Sequence, residues 1–388
     1  MVELSPERQR IYGKLEGKIG KTPLERYTGN VPNGNAIFVK REFDNPFGSH
    51  YDRVYFQLFK HYEEQGNLKP GAKVLETTSG AAGVSFAGIG KLLGYDCYVA
   101  LPAGGEKARE DAIKGVLLSP DHLIFTPGEK YISGFPAFLK RFLVQNKDYF
   151  FLNHSMGQRD KGTGRYTNNE ITLQSLAGIA DEALTEMEYV HYFVPAVGNG
   201  SSILGPARVF KELDQILAGV MGGIADESFG LGGYGTMKDI ENGLSHIEDT
   251  KTRVVTFEPF QSAVAYDLMF PGMYEMKFGI KPGSLSRHRL PGTSFQGIDF
   301  PHIINSIEGK IIDDVILVSD EKADREYKEK TGREDTKELP HWDAPIENHL
   351  EFGRSTKAGI QVALRISEGV ANKKILVVGY DKADRYDS

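Results

Sequence analysis

Short apolar runs alternate with segments of helical periodicity along most of this 388-residue chain. The runs are continuously apolar, which is typical of strands that are covered on both faces of a sheet. Strands that alternate with helices predict βαβ units and a largely parallel sheet, and the length allows two α/β domains. The predicted strands are residues 73–77, 96–101, 122–126, 149–153, 189–197, 253–258, 311–319 and 374–378, and three predicted helices are 82–93, 106–118 and 134–145.

The composition restricts the class of partner. Hydrophobic residues make up 40% and charged residues 26% of the chain, as in soluble globular proteins. A net charge of −7 argues against nucleic acid or an anionic membrane as the main partner. We find no run of about 18 apolar residues and no apolar N-terminal core, so we expect a cytoplasmic protein without a membrane span. The single cysteine, Cys97, is interpreted as a buried small hydrophobe, and no spacing of a metal site is found.

A glycine-rich loop separates a predicted strand from a predicted helix near the middle of the chain. At such a junction the backbone N–H groups converge, the helix dipole favours negative charge, and glycine allows an anion to approach closely. The loop therefore predicts a phosphate site, although its spacing is not that of the dinucleotide-binding Gly-x-Gly-x-x-Gly motif. The alternative is an ordinary turn between strand and helix. The loop residues are Gly198, Asn199, Gly200, Ser201 and Ser202.

Two stretches interrupt the alternation of strands and helices. Residues 219–235 contain seven glycines, and residues 322–350 are strongly polar. We predict surface insertions near residues 214–250 and 322–350. For the glycine-rich stretch an exposed loop is the favoured interpretation, and a mobile lid is the functional alternative.

Five further segments, together with the glycine-rich loop, carry a resemblance to a known family. They read Ile-Gly-Lys-Thr-Pro-Leu at 19–24, Asn-Pro-Phe-Gly-Ser-His-Tyr-Asp-Arg at 45–53, Glu-Thr-Thr-Ser-Gly-Ala-Ala-Gly at 76–83, Val-Val-Thr-Phe-Glu-Pro at 254–259 and Gly-Arg-Ser-Thr-Lys-Ala at 353–358. In this order they resemble the cysteine synthase and cystathionine β-synthase family of fold-type II enzymes, which use pyridoxal phosphate.

The resemblance implies a fold and a set of site residues. The implied fold has two doubly wound, mostly parallel domains with the ligand crevice between them: a larger phosphate-binding domain, residues 1–44 and 156–388, and a smaller substrate-loop domain, residues 45–155. A homodimer is also implied. The loop 198–202 would hold the cofactor phosphate, and Ser355 would meet the pyridine nitrogen. The residues implied to bind the substrate are Thr78, Ser79, Gly80, Ala81 and Ala82.

The resemblance also shows where this chain departs from the family. Tyr51 stands in the place of the lysine that forms the imine with the cofactor aldehyde, and a phenol cannot form an imine. It can still move a proton if a nearby cation lowers its pKa. Ala81 and Ala82 replace an Asn and a Thr, and Lys357 replaces a Gly.

Other residues near these segments are candidates to replace the lost function. His50 is interpreted either as a new acid or base, together with Tyr51, or as a hydrogen-bonded histidine under the sheet. Lys357 is expected near the ring nitrogen, at the opposite end of the ring from the aldehyde, while Lys21 and Lys107 are weaker candidates. His154, between Asn153 and Ser155, is interpreted as an ordinary loop residue, and the alternative is that it faces the crevice.

Three functions remain open for a chain of this kind with a small-molecule ligand. The first is an amino-acid lyase or transferase that binds pyridoxal phosphate without a covalent bond and uses non-standard chemistry. The second is a non-catalytic relative that binds an anionic or phosphorylated ligand in the old crevice. The third is a different enzyme class with a nucleotide or sugar phosphate at the glycine-rich loop.

Overall fold

The computed structural model describes residues 2–230, 251–346 and 350–387, which form two sheets flanked by helices. The strands are β1 Leu24–Arg26, β2 Ala36–Lys40, β3 Lys73–Thr77, β4 Asp96–Pro102, β5 Leu123–Thr126, β6 Tyr149–Phe151, β7 Tyr192–Val194, β8 Arg253–Pro259, β9 Asp314–Val318 and β10 Lys374–Val378. The six-stranded sheet has the order β1-β2-β10-β7-β8-β9 and the four-stranded sheet the order β5-β4-β3-β6. Every pairing is parallel except β1 with β2. The predicted α/β class with largely parallel sheets is confirmed.

Helices pack on both sheets. They are α1 Pro6–Glu16, α2 Tyr51–Glu64, α3 Ala81–Leu92, α4 Lys107–Val116, α5 Phe135–Gln145, α6 Glu170–Met187, α7 Ser201–Gly230, α8 Val264–Met269, α9 Met273–Phe278, α10 Pro301–Glu308, α11 Glu321–Thr331 and α12 Arg354–Gly369. The apolar face of α2 buries Val54, Leu58 and Phe59, with the spacing of an amphipathic helix, and this helix packs against α3 and α6. Among the described residues, no helix combines the length and the apolar character that a membrane span requires.

The two sheets have separate hydrophobic cores, and continuous apolar runs form the middle of each. In the four-stranded sheet, Val74 and Leu75 of β3 are neighbours along the chain and both are fully buried. Consecutive residues of a strand point to opposite faces, so both faces of this sheet are covered. The same holds in β10 of the six-stranded sheet, where Ile375 and Leu376 are fully buried.

Most predicted strands are confirmed, with differences at their ends. Two of them, β3 and β10, have the predicted bounds. The prediction for residues 189–197 is too long, because regular pairing stops at Val194. Pro195 follows and has no N–H group to donate, and beyond it Ala196 makes only an isolated bridge with Phe257.

The exposed loop predicted for the glycine-rich stretch is wrong over its first part. Helix α7 continues from Ser201 to Gly230, so residues 219–230 are helical. Once a helix is formed, each added residue gains a hydrogen bond at no further cost of nucleation, which allows the helix to continue through glycines. The rest of that stretch, residues 231–235, lies outside the described residues.

The polar stretch 322–350 is more than a surface insertion. It begins within α11, whose Tyr327 is fully buried, and Trp342 farther along is 6% exposed. Tyr327 packs edge-on against Phe260, with 5.5 Å between ring centroids. These two buried aromatic side chains pack the segment against the rest of the protein, although its polar composition alone predicts a position on the surface.

Candidate active site

A cavity of about 1330 Å³ lies where the carboxyl ends of strands from both sheets meet. Thr77 ends β3 and Asn153 follows β6 in the four-stranded sheet, while Ala196 follows β7 and Tyr380 follows β10 in the six-stranded sheet, and all four line this cavity. Ligands of open α/β sheets bind at this edge. Ligand pockets usually measure about 300–1,000 Å³, so this one has room for a cofactor together with a substrate.

The glycine-rich loop joins β7 to α7 at the edge of this cavity. Gly198, Asn199 and Ser202 line the cavity, whereas Gly200 and Ser201 are absent from its lining. Gly200 has a φ of +88°, and a Cβ there would lie 2.7 Å from the backbone nitrogen of Ile303. The side chain of Asn199 accepts hydrogen bonds from the N–H and the hydroxyl of Ser201, at 2.9 and 2.7 Å. The backbone conformation therefore requires glycine and leaves the positive end of α7 facing the cavity.

A second helix N-terminus faces the same cavity from the four-stranded sheet. Thr78, Ser79, Ala81 and Ala82 line the cavity at the start of α3. The hydroxyl of Thr78 accepts a 2.9 Å hydrogen bond from the N–H of Gly80, which holds the turn between β3 and α3. Gly80 itself is absent from the lining. The structure thus brings most of the predicted substrate residues to one wall, opposite the glycine-rich loop.

Arg109 is a cavity residue that the sequence analysis missed. Its guanidinium is buried and donates a 2.6 Å hydrogen bond to Asp381, and both residues line the cavity. A Cβ at Gly80 would lie 2.6 Å from Nη1 of Arg109, so the glycine makes room for this cation. A positive charge beside the start of α3 adds to the attraction of that helix end for an anion.

Tyr51 begins α2 and lines the cavity, with its ring edge-on to His154 at 5.2 Å between centroids. Burial raises the pKa of the Tyr51 hydroxyl, and Tyr380 and Glu76 add to the shift, while Arg109 opposes it. A role as a proton acceptor requires a lowered pKa, and the opposing effect of Arg109 is too small to lower it. At neutral pH the side chain is a phenol that donates a hydrogen bond.

His50 also lines the cavity, beside Tyr51. Its ring lies edge-on to Tyr380 at 5.1 Å between centroids. Its Nδ1 atom is buried and has no hydrogen-bond partner in the described part of the chain. Burial lowers the pKa of His50 to about 4, so the imidazole is neutral at physiological pH. The interpretation as a hydrogen-bonded histidine under the sheet does not fit, because Nδ1 is unpaired and the residue lines the cavity.

The three lysines considered as replacements for the imine-forming lysine do not line the cavity. Lys107 pairs with Asp111 on the surface of α4, and neither Lys21 nor Lys357 lines the cavity. Of the lysines in the described ranges, Lys140 alone lines it, from the exposed face of α5. Ser355, in contrast, is buried on the first turn of α12 and lines the cavity as expected.

His154 is a cavity residue, so the favoured interpretation of it as an ordinary loop residue is wrong. It follows β6, is 6% exposed and lines the cavity. Its Nδ1 atom lies 2.9 Å from the hydroxyl of Tyr55 and 3.2 Å from a carboxylate oxygen of Glu76. Its place after a predicted parallel strand is a signal that was available in the sequence, because side chains at that edge meet at the crevice.

Metal chemistry and thiol chemistry have no visible site here. Residues 2–230, 251–346 and 350–387 contain no group of three or more His, Cys, Asp or Glu residues that is arranged to hold a metal ion. Cys97 lies in β4 and is 3% exposed, and burial raises the pKa of its thiol. A buried, protonated thiol is a poor nucleophile.

Comparison with known sequences identifies the family. The sequence model described as "Pyridoxal-phosphate dependent enzyme" matches residues 15–227. The chain is 28% identical to a probable cysteine synthase of Bacillus subtilis over 205 residues, which cover 53% of this chain and 63% of that protein. It is 30% identical to the cystathionine beta-synthase of Apis mellifera over 200 residues, which cover 50% of this chain and 37% of that protein. These matches span less than two thirds of the length of either relative.

Solved structures share the fold over almost the whole chain. A hydrogen sulfide-producing enzyme from Fusobacterium nucleatum superposes with a TM-score of 0.65 at 20% identity, covering 96% of this chain and 99% of that one. An O-acetylserine dependent cystathionine beta-synthase from Helicobacter pylori superposes with a TM-score of 0.64 at 19% identity, covering 100% and 98%. At such identities the likeness establishes the fold and not the activity.

The cavity walls fit a phosphorylated, ring-bearing ligand. The start of α7 offers N–H groups to a phosphate, and the aromatic rings of His50 and Tyr51 line the cavity. Ser355 places a hydroxyl on another wall. The matched sequence model covers more than half of the chain, and the chain therefore belongs to the pyridoxal-phosphate-dependent enzyme family.

Proposed function

We propose that this protein binds pyridoxal phosphate without a covalent bond to lysine and acts as an amino-acid lyase or transferase of the cysteine synthase type. The reaction class is β-elimination or β-replacement. The observation that carries the proposal is the position of Tyr51, which starts α2 and lines the same cavity as the starts of α3 and α7. The one lysine of the described lining, Lys140, belongs to a different helix, α5.

Different residues of the cavity bind different chemical groups of the cofactor and the substrate. The loop Gly198–Ser202 and the N-terminus of α7 hold the phosphate group, and Ser355 meets the ring nitrogen. Thr78, Ser79 and the N-terminus of α3 bind the carboxylate of the amino acid, next to the positive charge of Arg109. When bound, pyridoxal phosphate supplies the electron sink that this chemistry needs.

Tyr51 contributes through its hydroxyl rather than through a covalent bond. The raised pKa keeps it protonated, so it orients a ligand oxygen or nitrogen by donating a hydrogen bond. A phenol of this kind is also able to give a proton to a leaving group. A separate group must then accept the proton that is removed from the substrate.

The proposal is tested by titrating purified protein with pyridoxal phosphate and recording the visible spectrum. We expect a saturable absorbance change without covalent attachment. With O-acetyl-L-serine added, we expect elimination products to form faster than with free pyridoxal phosphate alone. A protein that shows no spectral change in excess cofactor contradicts the proposal.

A second candidate function is supported by Ala81 and Ala82. Both line the cavity at the start of α3, where their methyl groups offer no hydrogen bond to a substrate. A non-catalytic protein that binds a phosphorylated ligand needs only the glycine-rich loop. Thermal shift separates the candidates, because a ligand that binds only the native state raises the melting temperature. A shift with a nucleotide or sugar phosphate, and none with pyridoxal phosphate, would favour another ligand class.

A further inference from the structure

The carboxylate of Glu76 is fully buried at the end of β3, and its contacts define the environment of one histidine. One oxygen accepts a 2.8 Å hydrogen bond from the N–H of Thr77, and the other accepts a 3.2 Å bond from the N–H of His154. That second oxygen also lies 3.2 Å from Nδ1 of His154. Within the described residues this imidazole is the one basic side chain in ion-pair distance of Glu76. A buried carboxylate is costly without such a partner.

His154 is held in one orientation. The hydroxyl of Tyr55 lies 2.9 Å from the same Nδ1 atom, and the hydroxyl of Thr172 donates a 2.9 Å hydrogen bond to the carbonyl of His154. The polar contacts that the ring makes with the described residues are therefore all on its Nδ1 edge. The Nε2 atom has no hydrogen-bond partner in the described part of the chain and is not fully buried. Because His154 lines the cavity, its Nε2 edge is open to the cavity.

The two neighbours of Nδ1 favour one tautomer of His154. The carboxylate of Glu76 only accepts hydrogen bonds and the hydroxyl oxygen of Tyr55 is able to accept one, so a proton on Nδ1 suits both neighbours. This tautomer leaves the lone pair of the neutral imidazole on Nε2. Carboxylates orient histidines in this way in catalytic and metal sites, because they fix both the tautomer and the ring.

The ring of His154 lies beside Tyr51, the residue that stands in the place of the family's lysine. The ring of Tyr51 is edge-on to His154, and the other ionisable groups around it are His50, Tyr55, Glu76 and His302. Burial lowers the pKa values of His50 and His302 to about 4 and about 3, which keeps both rings neutral. His154 is thus not surrounded by competing positive charges.

We propose that His154, positioned by Glu76, is the catalytic acid–base of this cavity and moves the proton that a lysine would otherwise move. The inference rests on the proposed function. In the step it assigns, the Cα–H bond of the bound amino acid breaks and the Nε2–H bond of His154 forms. The electron pair left on Cα is then used to expel the β substituent, and the imidazolium returns the proton to that leaving group.

The test uses L-alanine, which has an α-hydrogen and no β leaving group. Protein with bound pyridoxal phosphate is placed in D2O, and loss of the α-hydrogen signal is followed by proton NMR. We expect His154→Gln to slow the exchange by about 10²- to 10⁴-fold, the usual contribution of a positioned acid or base. The affinity for pyridoxal phosphate is expected to stay unchanged, and added imidazole is expected to restore part of the rate. Glu76→Gln is expected to give a smaller loss.

His122 provides the matched control. Its Nδ1 lies 3.1 Å from Asp96, so it is also a histidine–carboxylate pair of the four-stranded sheet, but it does not line the cavity. His122→Gln is expected to exchange like the unchanged protein.

A second experiment needs no cofactor for its readout: the histidines are carbethoxylated with diethyl pyrocarbonate, and the modified residues are mapped by mass spectrometry. We expect modification of His154 in the free protein and protection by pyridoxal phosphate.

The outcomes separate this inference from the proposed function. If the unchanged protein binds pyridoxal phosphate and exchanges L-alanine, but His154→Gln exchanges equally fast, the acid–base role is wrong and the proposed function stands. Loss of exchange that imidazole does not restore, at unchanged cofactor affinity, also contradicts the role. If the unchanged protein shows neither a spectral change nor exchange, the proposed function fails and this inference fails with it.

Discussion

The guanidinium of Arg109 donates a 2.6 Å hydrogen bond to the carboxylate of Asp381, and each side chain is 4% exposed. Arg109 lies on α4, which packs with the four-stranded sheet through α3, whereas Asp381 follows β10 of the six-stranded sheet. The two residues are 272 positions apart in the chain. The pair therefore joins the two halves of the molecule across the cavity that both residues line.

Removing one member of this pair is expected to destabilise the protein strongly. Arg109→Met leaves the carboxylate of Asp381 buried without its cation, at a cost of about 3–5 kcal/mol. The double variant Arg109→Met with Asp381→Asn is expected to lose less than the sum of the single variants, because neither charge is left alone. Urea unfolding followed by circular dichroism measures both effects.

The control for this experiment is the ion pair between Arg365 and Glu368, in which both side chains are more than half exposed. Arg365→Met is expected to change the free energy of unfolding by about 0–1 kcal/mol, as is usual for surface pairs. Equal, small effects at Arg109 and Arg365 would show that the buried pair does not hold the two halves together.

The glycine-rich loop requires glycine at one position in particular. Gly200→Ala forces a residue with a side chain into a φ of +88° and brings its Cβ to 2.7 Å from the backbone of Ile303. The left-handed backbone alone costs about 1–2 kcal/mol, and relief of the contact moves the N–H groups that face the phosphate. We expect lower thermal stability and weaker binding of pyridoxal phosphate in a spectral titration.

Gly219 offers a matched substitution on α7, the helix that follows this loop. An added Cβ there meets no atom within 4 Å. Gly219→Ala is expected to stabilise the helix by about 0.5–1 kcal/mol and to leave cofactor binding unchanged. If Gly200→Ala binds pyridoxal phosphate as tightly as Gly219→Ala does, the loop is not the phosphate site.

Asp52 makes the stability of the protein depend on pH. The residue is fully buried, one of its oxygens has no hydrogen-bond partner among the described residues, and burial raises its pKa from 3.8 to about 7. The folded state therefore holds a proton that the unfolded state releases, so the free energy of unfolding falls as the pH rises from about 4 to about 7.

Asp52→Asn mimics the protonated acid and removes this dependence. At pH 8 it is expected to be more stable than the unchanged protein, by on the order of 4 kcal/mol at most, since each pKa unit corresponds to about 1.4 kcal/mol. At pH 4 the two proteins are expected to unfold alike. Chemical denaturation at both values measures the difference, and a gain in stability that is equal at pH 4 and pH 8 would count against the shifted carboxyl.

The sequence predicted the elements whose ends carry local signals. β3 has the predicted bounds because the Thr-Ser-Gly turn follows it directly. The loop 198–202 reaches the cavity because a glycine turn at the end of a strand adopts only a few backbone conformations. The end of α7 was not predicted, because a run of glycines indicates a loop when only composition is considered. Its continuation depends on the helix that precedes it.

The missed site residues are those that reach the cavity through contacts between distant parts of the chain. Glu76 and His154 are 78 positions apart, and neither belongs to a motif that fixes the spacing between them. Arg109 is recognisable only once α4 is placed against the segment that follows β10. Motifs therefore located two walls of the cavity, while the contact between Glu76 and His154 and the buried cation of Arg109 required the fold.

The central claim is that pyridoxal phosphate binds here without a lysine. It is tested most directly by reducing the protein with borohydride at one equivalent of pyridoxal phosphate, followed by peptide mass mapping, with Tyr51→Lys as the positive control. The account predicts no pyridoxyl group on any lysine of the unchanged protein, Lys140 included, and a pyridoxyl group at position 51 of the variant. A pyridoxyl group on a lysine of the unchanged protein would contradict it.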